Sequence, residues 1–426
     1  MNTIIVGLMG LGNVGTGVWN ILHMNQKKIK VETGSQIMIK RVLVQRINKE
    51  RAISLPPECL TADAQELLGD PEIDIVIELI GGIEPAKAYI VAAIEAGKHV
   101  ITANKALMAQ WGDYLLEKAR KKGVFLYFEG SVAGGIPIIG SIQESLTANE
   151  IYEIKGIING TTNYILTKMS LEDADYETAL GEAQAKGYAE ADPTSDVDGY
   201  DAAYKLSILS HLAFHTPLPS APIFQEGIRK ISPLDIQFAQ ELGYRIKLLA
   251  IGKSRKDGVE LRVHPTMIPL THPLAAVHDS YNAIYLKGNA VGELMYYGRG
   301  AGELPTGSAV MGDLISLIKK IHCPYFDTSA HWQSTPQLNP MKDTLSEYYI
   351  RLVVRDIPGV LGKVASLFGQ HQVSISRVIQ KNPEGSVASL VIFTHLSRES
   401  DVQNTLAGIL SIPEVKEVSN LIRVEQ

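Results

Sequence analysis

The stretch that decides the fold is IIVGLMGLGNVG, residues 4–15, close to the start of the chain. A short apolar run leads into the pattern G-x-G-x-x-G, and apolar residues at helical spacing follow. In a strand–turn–helix unit the first glycine allows a tight turn, the second lets the backbone approach a pyrophosphate, and the third lets helix and strand pack closely. The alternative is a glycine-rich turn that binds nothing. We predict that this turn binds a dinucleotide through Gly10, Leu11, Gly12, Asn13, Val14 and Gly15.

Outward from this turn, strand and helix patterns alternate through the first 130 residues. Further strands are predicted at 37–44, 73–80, 99–102 and 124–128, and helices at 85–97 and 106–122. Apolar strands separated by amphipathic helices are typical of a parallel sheet with helices on both faces. We therefore predict a Rossmann-type nucleotide domain over residues 1–130, which a helical stretch at 305–320 completes.

The residues after the second strand bear on which dinucleotide binds. An Asp or Glu there would accept a hydrogen bond from the ribose 2′-hydroxyl of NAD. The sequence has Arg46 instead, with Lys49 and Arg51 close by, and a guanidinium can bind a 2′-phosphate through paired N–H donors. We predict NADP as the cofactor, with NAD as the alternative. A solvated basic loop would give the same pattern, and the spacing from Gly15 to Arg46 is longer than usual.

From about residue 130 the pattern changes to a mixture of strands and helices. Strands are predicted at 151–158, 262–268 and 283–287, and helices at 176–186, 199–215 and 233–246. Residues 131–320 should therefore form an α+β domain, and a proline-containing linker follows at 321–346. The last segment, 347–426, has the element order βαββαβ, which is the ferredoxin-like arrangement. The fold class predicted for the whole chain is α/β.

Composition and charge exclude several classes of protein. The 426 residues carry a net charge of −6, whereas nucleic-acid binders usually carry a basic surplus. No apolar run reaches the length of about 18 residues that a spanning helix needs, and the N-terminus lacks the regions of a signal peptide. The cysteines, Cys59 and Cys323, are too few for a disulfide framework. We expect a cytoplasmic protein that binds neither nucleic acid nor membrane.

Three polar segments are candidates for the chemistry. Lys105 follows a strand of the nucleotide sheet in the run TANK, 102–105, and ligands of such sheets bind at the carboxyl ends of strands; the alternative is an exposed lysine at a helix start. The segment GIINGTTN, 156–163, presents hydroxyls and backbone suited to a polar substrate. In the segment 187–206, Asp201 and Lys205 share a face of a predicted helix, and a surface ion pair is the alternative.

A glycine-rich turn, EGSVAGGIP at 129–137, follows the fifth strand. Alternating carbonyl groups beside the Glu129 carboxylate would suit a hard monovalent cation. The acidic segment 187–206 has no glycine at the place that an EF-hand requires and lacks its final bidentate glutamate, so calcium is not predicted there.

Taken together, these segments resemble homoserine dehydrogenases that carry a C-terminal ACT domain. The motifs run in order over about 300 residues: GLGNVG (10–15), VITANKALMA (100–109), SVAGGIPII (131–139), GIINGTTNYIL (156–166), GYAEADPTSDVDGYDAAYKL (187–206) and GRGAGELPTGSAV (298–310). The combination is far more specific than the glycine pattern alone. By this resemblance, residues 131–320 would be the catalytic and dimerisation domain.

The resemblance implies NAD(P)-dependent interconversion of L-aspartate 4-semialdehyde and L-homoserine, on the route to threonine, methionine and isoleucine. Lys205 and Lys105 match the family's catalytic lysines, and we expect Lys205 to donate the proton. The implied substrate-binding residues are Glu190, Asp196, Asp201, Tyr188 and Thr161. The implied nucleotide contacts outside the glycine turn are Thr102, Lys105 and Gly302. The implied sodium-binding positions are Glu129, Val132, Gly134 and Ile136.

Residues 347–426 resemble an ACT domain, whose strand-to-helix turn would be RDIPG, 355–359. ACT domains often pair side by side and bind an amino acid at the interface. The resemblance therefore implies feedback inhibition by L-threonine and a homodimer or homotetramer. A dimerising or purely structural module is the alternative.

Two other classes of protein compete with this interpretation. Dehydrogenases of the group that includes saccharopine and glucose–fructose oxidoreductases share the nucleotide fold, but they lack the pattern at 187–206. A non-catalytic sensor of nucleotide and amino acid would have no need of both lysines and both carboxylates. We therefore favour an enzyme.

Overall fold

The structure is a computed structural model that describes residues 2–51, 53–216, 223–322, 336–384 and 387–425. The chain forms two units. The first comprises residues 1–151, 204–222 and 288–335, and the second comprises residues 152–203, 223–287 and 336–426. Among the described residues, no helix is long and apolar enough to cross a membrane.

The strands are, in chain order, β1 (Asn2–Met9), β2 (Ser35–Leu43), β3 (Leu60–Thr61), β4 (Ile75–Glu78), β5 (His99–Thr102), β6 (Leu126–Tyr127), β7 (Ile151–Ile157), β8 (Phe224–Gln225), β9 (Tyr244–Arg255), β10 (Gly258–Pro269), β11 (Tyr281–Gly288), β12 (Gly292–Arg299), β13 (Leu345–Arg355), β14 (Ile375–Glu384), β15 (Val387–Thr394), β16 (Ser397–Arg398) and β17 (Val415–Val424).

The α-helices are α1 (Asn13–Met24), α2 (Gln26–Thr33), α3 (Gln65–Leu68), α4 (Ala86–Glu95), α5 (Lys105–Lys122), α6 (Gly160–Leu171), α7 (Tyr176–Ala185), α8 (Thr194–Val197), α9 (Tyr200–Phe214), α10 (Pro233–Glu241), α11 (Glu303–His322), α12 (Val360–Gln370) and α13 (Glu399–Ile409).

The first unit is built on a six-stranded sheet in the order β3-β2-β1-β4-β5-β6. Every pairing in it is parallel, and the central strands are apolar and buried on both faces, as a parallel sheet requires. Helix α11 packs against α1 so closely that a Cβ atom on Gly17 would lie 2.1 Å from the carbonyl oxygen of Glu303. The Rossmann-type sheet predicted from the glycine turn is confirmed.

The long spacing between the glycine turn and Arg46 has a structural cause. Helix α2 is inserted between α1 and β2, and it ends at Gly34, whose positive φ of 66° turns the chain into the strand. Helix α2 was not predicted from the sequence, because three lysines surround Ile29, its one buried apolar residue. The spacing therefore does not weaken the assignment of the fold.

The second unit contains a sheet in the order β11-β7-β9-β10-β17-β13-β15-β14. Its last four strands, with α12 and α13, form the predicted βαββαβ arrangement around their own apolar core. Strand β17 pairs with β13 on one side and, in parallel, with β10 on the other. The ferredoxin-like segment is therefore continuous with the sheet that precedes it in the chain.

One helix was predicted too long, and the predicted linker is shorter than 321–346. Helix α10 ends at Glu241, and Gly243 has a positive φ of 82°. Strand β9 then begins at Tyr244, so the prediction of helix at 233–246 is wrong in its last residues. The apolar run that looked helical is part of β9, which pairs with β10 over twelve residue pairs.

Helix α11 runs to His322 and β13 begins at Leu345, and residues 323–335 of the predicted linker lie outside the described residues.

Candidate active site

The glycine turn has the geometry that dinucleotide binding needs. Gly10 has a φ of +98°, and its Cβ atom would lie 2.7 Å from the Leu79 carbonyl oxygen. A Cβ atom on Gly15 would lie 2.2 Å from the Gly10 carbonyl oxygen, whereas one on Gly12 would meet no atom of the described residues within 4 Å. Gly12 thus leaves open space where α1 begins, and the N–H groups of a helix N-terminus attract an anion. The turn fits a pyrophosphate.

The other nucleotide-binding candidates lie on the first unit around the same sheet edge. Arg46 is exposed and follows β2, the neighbour of β1, while Thr102 is the last residue of β5. Gly302 immediately precedes α11, which packs on α1. The carboxyl ends of parallel strands form the ligand-binding edge in this fold, and these positions fit a bound dinucleotide.

Two residues that the motifs did not single out hold this edge together. The Glu78 carboxylate is buried and accepts a hydrogen bond from Thr102 Oγ1 at 2.6 Å. Asn104 donates to the Gly82 carbonyl at 2.6 Å and caps α5 through its side-chain oxygen. Lys105, the first residue of α5, is therefore held at the edge, half-buried. The sequence signal for Glu78 was a glutamate at the end of an apolar strand, and that for Asn104 was an asparagine directly before a helix.

The turn predicted to hold sodium is buried and acidic. The Glu129 carboxylate accepts hydrogen bonds from the N–H groups of Ile139 (2.9 Å) and Gly140 (2.7 Å), and its own N–H donates to Asp313. Burial raises the pKa of Glu129 and raises that of Asp313 well above its usual range. A nearby cation would favour the charged forms of both.

The remaining positions of that turn offer main-chain oxygens. Val132, Gly134 and Ile136 are all buried, and Gly134 has a positive φ of 51°. Within the described part of the chain, no cluster of three or more His, Cys, Asp or Glu side chains could hold a metal. The residues fit a hard cation bound mainly by carbonyl groups.

Asn159 connects the carboxylates of the second unit. Its side-chain Nδ2 donates to Asp196 Oδ1 at 2.7 Å and to Asp201 Oδ2 at 2.9 Å. Its Oδ1 accepts from the N–H of Thr162 at 2.9 Å, which caps α6. No role was predicted for Asn159 within the segment GIINGTTN, although an asparagine directly before a helix indicates a cap.

Thr161 and Tyr188 join this cluster, whereas Glu190 lies beside it. The Thr161 hydroxyl donates to the Tyr188 carbonyl and lies 3.4 Å from Asp196 Oδ2. Glu190 is exposed in the loop between α7 and α8. Four of the five predicted substrate-binding residues are thus connected through Asn159 and Thr161, because Asp201 bonds to Asn159.

Asp201 and Lys205 lie one turn apart on α9 and are both buried, with 1% and 8% of their surface exposed. The alternative of an exposed surface ion pair is therefore excluded. Buried charges are costly unless they are paired or functional, so this helix is a strong candidate for the chemistry.

Comparisons with known proteins agree along the whole chain. Domain families match at residues 10–129 (homoserine dehydrogenase, NAD binding domain), 137–315 (homoserine dehydrogenase) and 348–413 (ACT domain). The homoserine dehydrogenase of Bacillus subtilis (strain 168) is 42% identical over 428 residues, which cover 100% of this chain and 99% of that protein. This chain belongs to the homoserine dehydrogenase family.

Solved structures of homoserine dehydrogenases share the fold. That of Thiobacillus denitrificans has a TM-score of 0.95 and 42% identity, and the match covers 100% of this chain and 99% of that one. A hyperthermophilic archaeal homoserine dehydrogenase in complex with NADPH has a TM-score of 0.61 and 25% identity, covering 75% of this chain and 98% of that one. Family membership makes this chain a homoserine dehydrogenase-type oxidoreductase, acting on a CH–OH group with NAD(P).

Proposed function

We propose that this chain reduces L-aspartate 4-semialdehyde reversibly to L-homoserine, and that Asp196, Asp201 and Glu190 bind the substrate ammonium group. The observation that carries the proposal is the hydrogen-bonded cluster in which Asn159 orients the carboxylates of Asp196 and Asp201. An ammonium group needs anionic acceptors, and charge-assisted hydrogen bonds to carboxylates are the stronger kind. The Thr161 hydroxyl and Tyr188 border the same carboxylates.

We assign the transfer of the proton to the substrate oxygen to Lys205. When NADPH is bound, it supplies the hydride that reduces the aldehyde carbon. The Lys205 ammonium polarises the carbonyl group and donates a proton to its oxygen, and in the reverse direction the neutral amine accepts the hydroxyl proton. Lys105, held at the start of α5, orients substrate and cofactor or shares the proton transfer. Burial of Lys205 supports this role, because a hydrogen bond from its ammonium group to the substrate oxygen is stronger where water is excluded.

The preference for NADP is assigned to Arg46. Its exposed side chain follows β2 at the nucleotide edge, and an archaeal relative binds NADPH. In an Arg46→Leu variant, we expect the Kd for NADPH to rise roughly tenfold or more, because a hydrogen-bonded charge pair is lost. The Kd for NADH should hardly change, and fluorescence titration with both nucleotides measures the difference. Equal losses for both would show that Arg46 does not read the 2′-phosphate.

We also propose that this chain binds sodium and that L-threonine regulates it. The buried carboxyl groups of Glu129 and Asp313 support a cation at the turn formed by Glu129, Val132, Gly134 and Ile136. The ACT domain match supports an amino-acid effector. We further propose that the chain forms a homodimer or homotetramer and lies in the cytoplasm. Its proposed reaction belongs to threonine, methionine and isoleucine biosynthesis.

The test of the catalytic assignment is a Lys205→Met variant, which keeps the apolar stem of the side chain and removes the ammonium group. We expect kcat to fall by about 10²–10⁴-fold, the usual contribution of general acid–base catalysis. NADPH binding, followed by fluorescence, should be retained. Turnover close to that of the unmodified chain, measured by NADPH absorbance with aspartate semialdehyde, would refute the role of Lys205.

A further inference from the structure

The side chain of Tyr164 extends from α6 to the carboxyl end of α7, and the chemistry assigned above does not use it. Tyr164 stands three residues after Thr161 on α6, so the two side chains share a face of that helix. Tyr164 is only 3% exposed. A buried tyrosine hydroxyl usually has a hydrogen-bond partner, and the partners of this one lead to the segment that contains Tyr188 and Glu190.

The Tyr164 hydroxyl has one partner of each charge. It accepts a hydrogen bond from Lys186 Nζ at 2.8 Å and donates one to Glu182 Oε2 at 3.2 Å. Glu182 lies in the last turn of α7, and Lys186 is the C-cap residue of that helix. Hydrogen bonds to charged groups are the stronger kind, so a single hydroxyl of α6 holds the end of α7.

The residues that follow α7 are held against α6 as well. Gly187 turns the chain with a φ of +73°, and the Tyr188 N–H then donates to the Ala183 carbonyl at 2.8 Å. The Tyr188 carbonyl accepts from the Thr161 hydroxyl. The ring centroids of Tyr164 and Tyr188 lie 5.1 Å apart with an angle of 57° between the rings, a distance at which aromatic pairs attract each other. Tyr188 therefore contacts α6 through its backbone and through its ring.

Glu190 follows two residues later and depends on the same segment. Its side chain is exposed, and its carboxylate has no hydrogen bond or ion pair among the described residues. Its backbone carbonyl accepts from Gln184 Nε2 at 3.1 Å. An exposed carboxylate without partners is placed only by its backbone, so the position of Glu190 follows from the contacts of Tyr188 and Gln184.

We propose that Tyr164 is a positioning residue for the binding of substrate by Glu190 beside Tyr188. Its hydroxyl fixes the end of α7 through Lys186, and its ring fixes the Tyr188 ring. Without these contacts the segment 187–190 would sample more conformations, and substrate binding would have to order it at a cost in conformational entropy. The inference rests on the proposed function, in which Glu190 binds the substrate ammonium group.

The first test is a Tyr164→Phe variant, which keeps the ring and removes the hydroxyl group. We expect the KM for homoserine to rise about three- to tenfold through loss of the hydrogen bonds. The kcat and the Kd for NADPH should stay nearly unchanged, because only ground-state binding of substrate is affected. Tyr176 of α7 is the matched control, since its buried hydroxyl has no hydrogen-bond partner among the described residues. Tyr176→Phe should leave the KM as it is.

Lys186 provides an independent measurement of the same contact. Lys186→Met should raise the KM by a similar factor, and Lys186→Arg, which keeps a charged donor, should restore most of the binding. The KM of the double variant Tyr164→Phe, Lys186→Met should be close to that of either single variant, because both substitutions break the same hydrogen bond. Effects on the KM that multiply in full would contradict the proposal.

Hydrogen exchange of the peptide 183–191, followed by mass spectrometry, separates the contact from the reaction. Tyr164→Phe should speed exchange of the Tyr188 and Ala189 N–H groups, which both donate to the Ala183 carbonyl, and Tyr176→Phe should not. Unchanged exchange in Tyr164→Phe would overturn the proposal. Faster exchange with an unchanged KM would overturn it too, since Tyr164 would then hold a segment that binds no substrate. The proposed function fails separately, if the unmodified chain does not oxidise homoserine, and the exchange measurement still decides whether Tyr164 holds the segment.

Discussion

The side-chain amide of Asn159 combines two tasks that are usually divided between residues. Its oxygen caps α6 and its nitrogen holds the carboxylates of Asp196 and Asp201. An amide can do both because it offers an acceptor and two donors at opposite ends. The position of the carboxylates that we propose to bind the substrate therefore depends on a residue that carries no charge.

This dependence predicts the effect of an Asn159→Ala variant. We expect the KM for homoserine to rise roughly tenfold or more, because two hydrogen bonds to charged groups are lost. Stability should fall by about 1 kcal/mol with the loss of the cap. NADPH affinity should stay the same. Steady-state kinetics and a thermal melt measure these changes.

The matched control removes another helix cap of the same unit. Asp175 caps α7 through the N–H of Thr178, and it has no hydrogen bond to a candidate site residue among the described residues. Asp175→Ala should lose similar stability with an unchanged KM. If both variants raised the KM equally, the effect of Asn159 would be a general loss of order and not a loss of positioning.

At the scale of elements, the glycines of the turn between β1 and α1 differ in their surroundings. Two of them are required by close packing of the fold, and the third borders the proposed nucleotide site. Gly10 and Gly15 are enclosed by backbone atoms of the fold itself, whereas the space beside Gly12 is open. The same sequence motif therefore contains two glycines that the fold needs and one, Gly12, that leaves space open for a ligand.

A pair of alanine variants distinguishes the two requirements. Gly15→Ala would place a Cβ atom 2.2 Å from the Gly10 carbonyl oxygen, so we expect a large loss of thermal stability. Gly12→Ala should fold with a melting temperature close to that of the unmodified chain. Its Kd for NADPH should rise roughly tenfold or more, because the added methyl group occupies the space that the pyrophosphate needs. Unchanged NADPH binding by Gly12→Ala would contradict the assignment of the turn.

At the scale of the whole molecule, the ACT domain is joined to the rest of the second unit by a strand pairing and a buried ion pair. Strand β17 pairs with β10, and Asp235 of α10 accepts a hydrogen bond from Arg351 Nε of β13 at 2.7 Å. Tyr349 and Asn420 also donate to Asp235. Asp235 therefore ties α10 to strands β13 and β17 of the ACT sheet.

The ion pair predicts how stability depends on pH. Burial alone raises the pKa of Asp235, but hydrogen bonding and charge from Arg351 outweigh it, and the pKa is lowered from 3.8. A carboxyl whose folded pKa is lowered stabilises the fold above its unfolded pKa of about 4, and this stability is lost as the pH falls through the folded value.

Arg351→Met leaves Asp235 buried without its cation. We expect a loss of about 3 kcal/mol at pH 7, the usual cost of breaking a buried pair. The folded pKa of Asp235 should then rise, so protonation relieves the penalty and the difference from the unmodified chain shrinks as the pH approaches about 4. Calorimetric melting at several pH values measures this trend.

The pair of Lys363 and Glu414 provides the comparison, since its cation is at the surface: the Lys363 side chain is 56% exposed and the Glu414 side chain 18%. Lys363→Met should change stability by at most about 1 kcal/mol, as surface pairs do. A stability loss for Arg351→Met that is the same at every pH would show that packing, and not the charge of Asp235, causes it.

The sequence by itself determined the features that depend on neighbours in the chain. The strand–turn–helix unit at residues 4–15 and the βαββαβ order of 347–426 follow from apolar period, glycine and proline positions, and turn lengths, which act over a few residues. Helix α12 and strand β15 take their places in that order. The end of α10 was missed because the apolar run that follows fits either a helix or a buried strand.

Only the tertiary structure decided which distant groups meet. Asn159 is 37 and 42 residues from the carboxylates that it holds, and Arg351 is 116 residues from Asp235. The pairing of β17 with β10 also depends on strand register across the sheet. No local pattern encodes these contacts, because each forms only after long loops have closed and one register has been selected by burial of the whole sheet.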